Sequence, residues 1–226
     1  MDDTFRKNHG KIIRKNKIKG VISLFNTFIW DFDGTLFDTY PMIVQGYLQA
    51  LKEYHIDSTK EEVYQILKEY SSAKIAEKYQ LDFAELSKKA KVYEEKSAYE
   101  PQSFTGTKDV LSFIVARHKG NMILSHRRQA STQALLKKEQ LADLVTEVVG
   151  PENNFPRKPD PTSLNYLLKQ YGLDPKKTVM IGGRALDIDA GKNAGVATIF
   201  FDNEHLLTDI QADYRVTSMK EIEKFV

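Results

Sequence analysis

From about residue 104 onward the chain alternates short apolar runs with stretches of helical periodicity, and few folds accept that pattern. Strands of four or five apolar residues, too short to be membrane spans and separated by helices, pack as a parallel sheet covered on both faces. The pattern predicts helices over 107–118, 131–138, 161–171, 186–193 and 219–225. It predicts strands over 121–125, 147–150, 178–182, 197–201 and 213–216. A further apolar run, Phe28-Ile29-Trp30, supplies one more strand near the start. The fold class expected is therefore α/β, a doubly wound parallel sheet. Ligands of such sheets bind beyond the carboxyl ends of the strands, so residues just after each apolar run are the functional candidates.

Between the first strand and residue 104 the periodicity is helical throughout. Thr39 before Pro41 is a helix start, Ser58-Thr59-Lys60-Glu61 reads as a capping box, Ser71-Ser72 can cap a third helix, and a fourth runs from about 82 to 97. Met42, Ile43, Tyr47, Leu48 and Leu51 recur at helical spacing, as do Val63, Ile66 and Leu67. The organisation expected is a basic tail at 1–22, a core built from 23–39 and 104–226, and an inserted helical unit at 40–103. No internal repeat stands out.

With 41% hydrophobic residues in 226, the chain can bury a sizeable core. It has no cysteine, which excludes disulfides, thiolate nucleophiles and zinc–thiolate sites and suits a cytoplasmic location. No apolar run approaches the roughly 18 residues of a membrane span. Residues 1–20 carry seven Lys or Arg against Asp2 and Asp3, so the tail has a net charge of +5 and the rest of the chain about −3. A disordered, solvated extension is the plain reading of that tail, with weak contact to nucleic acid or an anionic surface as the other. Without interleaved aromatics no dedicated nucleic-acid site is expected.

The densest chemistry lies in Asp31-Phe32-Asp33-Gly34-Thr35-Leu36-Phe37-Asp38. Gly34-Thr35 is a turn signal, so the chain leaves its strand there and can aim one carboxylate at a substrate with the other beside it. Two acids so close, with nothing basic between them, imply a divalent cation or a shared proton. This stretch resembles the first motif of the haloacid dehalogenase superfamily, Asp-x-Asp-Gly-Thr-Leu-x-Asp, at every position. Ser125 at the end of the strand at 121–125 resembles the second motif and Lys158, in Arg157-Lys158-Pro159, the third. Asp33 resembles the second acid of the phosphoryl-transferring members, and Thr35 and the helical insertion are similar to the phosphoglycolate phosphatase and beta-phosphoglucomutase branch, whose core is Rossmann-like and whose cap is helical. No positive signature of a mutase is present.

The resemblance implies a phosphatase in which Asp31 attacks the phosphorus of a small phosphorylated metabolite to form an aspartyl phosphate. Asp33 then serves as acid and base, with a raised pKa, and Ser125 and Lys158 bind the phosphate. It also implies Mg²⁺ held by Asp31, the main-chain carbonyl of Asp33, and Asp187. The fourth motif departs from Gly-Asp-x-x-x-Asp: Gly183 stands where the first acid belongs, in Gly182-Gly183-Arg184-Ala185-Leu186-Asp187. The lost ligand can be replaced by water at a cost in affinity. The competing reading is a phosphate-binding or regulatory protein weakened in catalysis. Arg184 and Asp189 read as helix-surface residues. Tyr40, Gln45, Ser72, Lys74 and Arg127 lie near the expected cleft but read more readily as surface groups, and His126 reads as either a leaving-group contact or a solvated residue. A monomer or weak homodimer is expected.

Overall fold

A computed structural model describes residues 24–226, so the expectations for the basic stretch concern residues outside that range. In chain order the elements are β1 (Thr27–Trp30), β2 (Phe37–Asp38), α1 (Tyr40–Glu53), α2 (Lys60–Glu69), α3 (Ser72–Lys78), α4 (Phe83–Glu95), β3 (Gln102–Ser103) and α5 (Thr107–Val115). There follow β4 (Gly120–Leu124), α6 (Gln129–Lys138), β5 (Glu147–Val149), α7 (Thr162–Gln170), β6 (Thr178–Gly182), α8 (Ala185–Asn193), β7 (Ala197–Phe201) and β8 (Tyr214–Val216).

Six strands form one parallel sheet in the order β5-β4-β1-β6-β7-β8. Strand alternation sends neighbouring residues of β1 to opposite faces. Phe28 and Trp30 pack with Val110, Leu111 and Ile114 of α5, whereas Ile29 packs with Leu164 and Leu167 of α7 and Ala190 of α8. All three β1 side chains are fully buried, and each such burial contributes about 1.5–3 kcal/mol. Trp30 donates to Asn121 Oδ1 at 3.1 Å, and Asn121 in turn donates to the carbonyls of Leu111 and Leu144, so the polar atoms at the bottom of this layer are paired.

Helices α1 to α4 share a separate apolar cluster, with Tyr47, Leu51, Val63, Leu67, Ile75 and Leu86 among its members. They form the inserted helical cap, entered and left through the antiparallel pair β2–β3. The α2 cap is shifted by one residue from the expected box: Thr59, not Ser58, accepts from the Glu62 N–H, while Ser58 Oγ donates to the Glu62 carboxylate. The last expected helix, Met219–Phe225, is wound as 3-10 rather than α. Among the described residues no helix is long and apolar enough to cross a membrane.

Candidate active site

The parallel register aligns the carboxyl ends of β1, β4 and β6, with Trp30 opposite both Ile123 and Ile181. Asp31, Ser125 and Gly183 therefore leave the sheet along one edge. The turn after Asp31 is tight. Gly34 adopts φ +73°, and a Cβ there would lie 2.2 Å from the Tyr40 ring, so only glycine lets Tyr40 close over the loop.

Asp31 is 1% exposed. Its Oδ1 lies 2.6 Å from Lys158 Nζ, and the same ammonium lies 2.6 Å from Asp187 Oδ1 and donates to the Leu124 carbonyl at 3.0 Å. Asp187 reaches this point because Gly182 has no side chain: a Cβ on Gly182 would lie 2.3 Å from Asp187 Cβ. Its other oxygen accepts from the Arg184 N–H at the start of α8. Burial and the neighbouring Asp187 push the Asp31 carboxyl above its ordinary value of 3.8, against Lys158 and Arg184. Asp31 Oδ2 is buried and accepts no hydrogen bond.

The second acid of the loop behaves differently from expectation. The Asp33 carboxylate pairs with a cation from the core, Arg127, whose Nε donates to Asp33 Oδ1 at 2.7 Å. Burial raises the Asp33 pKa, but the charge and hydrogen bond of Arg127 outweigh it, and the net direction is down rather than up. Arg127 is itself 4% exposed, not a surface group, and it also donates to Ser131. Ser125 is buried next to it, with Oγ accepting from the Arg127 N–H at 3.1 Å. His126 Nε2 accepts from the Lys158 N–H, and burial together with Lys158 and Arg157 holds its pKa well below 6.5. His126 is half-buried, braces the lysine loop through this bond and also lines the cleft.

Arg184, expected on a helix surface, turns inward. Its Nη2 lies 3.7 Å from Asp31 Oδ2 and its Nε 3.9 Å from Asp187 Oδ2. Lys68 of the cap joins it from the other side: it is 4% exposed and its ammonium lies 5.0 Å from the Tyr40 ring centroid. The sequence signal for Lys68 was slight, a lysine beside Leu67 and one turn after Tyr64 on the apolar edge of α2. Asp33, Tyr47, Arg127, Arg128, Arg157 and Arg184 help line a cleft of about 280 Å³ between cap and core. Its polar lining is dominated by cations, which suits an anionic ligand.

For a hard divalent ion, the oxygen donors on this edge are Asp31 and Asp187. They are two buried carboxylates paired with Lys158 and flanked by Arg184, and Asp187 Oδ1 is buried without a hydrogen-bond partner among the described residues. That donor set suits magnesium, which takes few protein ligands and keeps its waters. It is a sparse set: among the described residues no three acid or histidine side chains converge on one metal position, and the Asp33 carboxylate is committed to Arg127.

Residues 28–201 match the model of the haloacid dehalogenase-like hydrolases. The chain belongs to that family of enzymes. It is similar to pyrophosphatase PpaX of Oceanobacillus iheyensis, 22% identical over 87% of this chain and 94% of the relative. It is also similar to phosphoglycolate phosphatase of Mesorhizobium japonicum, 24% identical over 77% of this chain and 81% of the relative. A crystal structure of a hydrolase from Streptococcus pneumoniae TIGR4 is 32% identical, with a TM-score of 0.55 over 83% of this chain and 95% of that one.

Proposed function

We propose that this protein is a magnesium-dependent phosphatase that hydrolyses a small phosphomonoester through an aspartyl phosphate on Asp31. The observation that carries this reading is Asp31 itself. One carboxylate oxygen is fixed by Lys158 and the other, Oδ2, is buried, free of hydrogen bonds and beside Arg184. A carboxylate held in that way is oriented for attack, and its bare oxygen is the nucleophile.

In the first displacement Asp31 Oδ2 bonds to phosphorus as the ester P–O bond breaks, and Asp33 delivers a proton to the leaving oxygen. In the second, water attacks the phosphorus of the aspartyl phosphate, its proton passes to Asp33, and phosphate and the Asp31 carboxylate are released. Arg127 opposes the protonated form of Asp33, while a phosphate dianion entering beside it favours that form by like-charge repulsion. Ser125 and Lys158 border the transferring group, and the cap helices exclude water from it. Asp31, Asp187 and the Asp33 main-chain carbonyl would hold Mg²⁺, which when bound supplies positive charge against the repulsion between carboxylate and phosphate. Residues 40–103 act as the cap, a monomer or weak homodimer suffices, and the reaction is a cytoplasmic one.

The test is phosphate release from a panel that includes pyrophosphate and phosphoglycolate, the compounds in the relatives' names, with the natural protein and Asp31→Asn. Turnover that disappears in Asp31→Asn is expected. Absence of release from every compound, or an equal rate in Asp31→Asn, overturns the proposal.

A further inference from the structure

The missing acid at position 183 leaves a space, and a cation from the cap fills it. A Cβ built on Gly183 would lie 3.6 Å from Lys68 Nζ and 3.0 Å from the Gly34 carbonyl. Lys68 is buried, yet its ammonium makes no hydrogen bond or ion pair with any described residue and rests only on the Tyr40 ring. A desolvated ammonium without a partner is costly unless an anion completes its surroundings. Arg184 faces the same place, its Nε buried and without a hydrogen-bond partner.

Charge counting shows what this arrangement favours. Among the buried groups Lys68, Lys158 and Arg184 stand against Asp31 and Asp187, a net charge of one positive unit, while Asp33 and Arg127 cancel each other; the further acid that acts on Lys68, Glu204, is exposed and screened by solvent. With a carboxylate at position 183 the same cluster would be neutral, and a phosphate dianion would then enter only with an added cation. With glycine there, the dianion meets a positive site before any ion arrives.

We infer that Lys68 and Arg184 form a built-in cation pair that anchors the phosphate dianion without a divalent ion, Lys68 occupying the space opened by Gly183. Magnesium then serves turnover but not binding. The inference rests on the phosphatase reading, and the two fail differently.

The experiment is calorimetric titration of inorganic phosphate into the full-length protein, once in EDTA and once in Mg²⁺. The proteins compared are the natural one, Lys68→Met, Lys68→Arg and Gly183→Asp, each checked for cooperative unfolding. Expected is the same phosphate affinity in both media for the natural protein. In EDTA, binding should weaken at least about tenfold, or 1.4 kcal/mol, in Lys68→Met and be recovered in Lys68→Arg. Gly183→Asp, whose new carboxylate pairs with Lys68, should bind phosphate only with Mg²⁺. Phosphate binding that needs Mg²⁺ in the natural protein, or is unchanged in both Lys68→Met and Gly183→Asp, overturns the inference and leaves the phosphatase intact. No phosphate binding in either medium also overturns the inference, while the phosphatase reading stands or falls on phosphate release.

Discussion

Replacing Lys158 with methionine keeps most of the length of the side chain and removes its charge. The ammonium donates to Asp31 at 2.6 Å and to the Leu124 carbonyl at 3.0 Å, and forms an ion pair with Asp187 Oδ1 at 2.6 Å. The side chains of Lys158, Asp31 and Asp187 are 1%, 1% and 0% exposed, so solvent cannot take over its role. Removing one partner of a buried ion pair costs about 3–5 kcal/mol. Arg184, near both carboxylates, offsets part of this, and a loss of about 3 kcal/mol is expected out of a total of roughly 5–15. The sign of the pH dependence follows from Asp31. Its folded-state pKa is raised above the ordinary 3.8 and rises further without Lys158, so the folded state binds more protons than the unfolded chain in that window. The Asp31 contribution to the variant's stability is therefore fully present below 3.8 and is lost as pH climbs through the folded-state pKa. Urea unfolding at several pH values, followed by the fluorescence of Trp30, the single buried tryptophan, measures this. Adding Asp187→Asn should restore part of the loss by removing one of the two facing charges. A loss below about 1 kcal/mol, or one that does not change with pH, would refute the reasoning.

Arg127→Met removes the main opposition to burial at Asp33, leaving only Thr39 and Lys91 against it, so its pKa moves up and the acidic limb of the kcat profile shifts to higher pH. In the natural protein the ionised Asp33 stabilises the fold above 3.8 and that contribution fades as pH falls through its lowered pKa; an unshifted acidic limb in the variant would show that Arg127 does not control it. Gly34→Ala places a methyl group 2.2 Å from the Tyr40 ring at φ +73° and should lower stability by about 2 kcal/mol or more in thermal unfolding. A change under about 1 kcal/mol would mean that Tyr40 moves aside freely.

Much of the fold was legible because its signals are local. Strands 178–182 and 197–201 were read to the residue, since each is an apolar run bounded by a helix and a turn. The end of α2 was less clear because Ser58 and Thr59 are both competent caps, and only the backbone path decides which accepts from Glu62. The C-terminal segment has apolar residues at a spacing that 3-10 and α windings both satisfy over seven residues.

The amino-acid sequence by itself determined the α/β layering, the inserted helices and the acids, serine and lysine that follow the strand ends, because these depend on periodicity and on residues a few positions apart. Which charge meets which was decided only by tertiary structure. Lys158 lies 127 positions from Asp31 and Arg127 lies 94 positions from Asp33, and the strand order brings each to its partner. Lys68 reaches Gly183 only because the cap folds back over the sheet edge. Electrostatic energy depends on distance and burial, neither of which is a property of position along the chain, so the reversal of the Asp33 pKa and the inward turn of Arg184 became visible only in the folded protein.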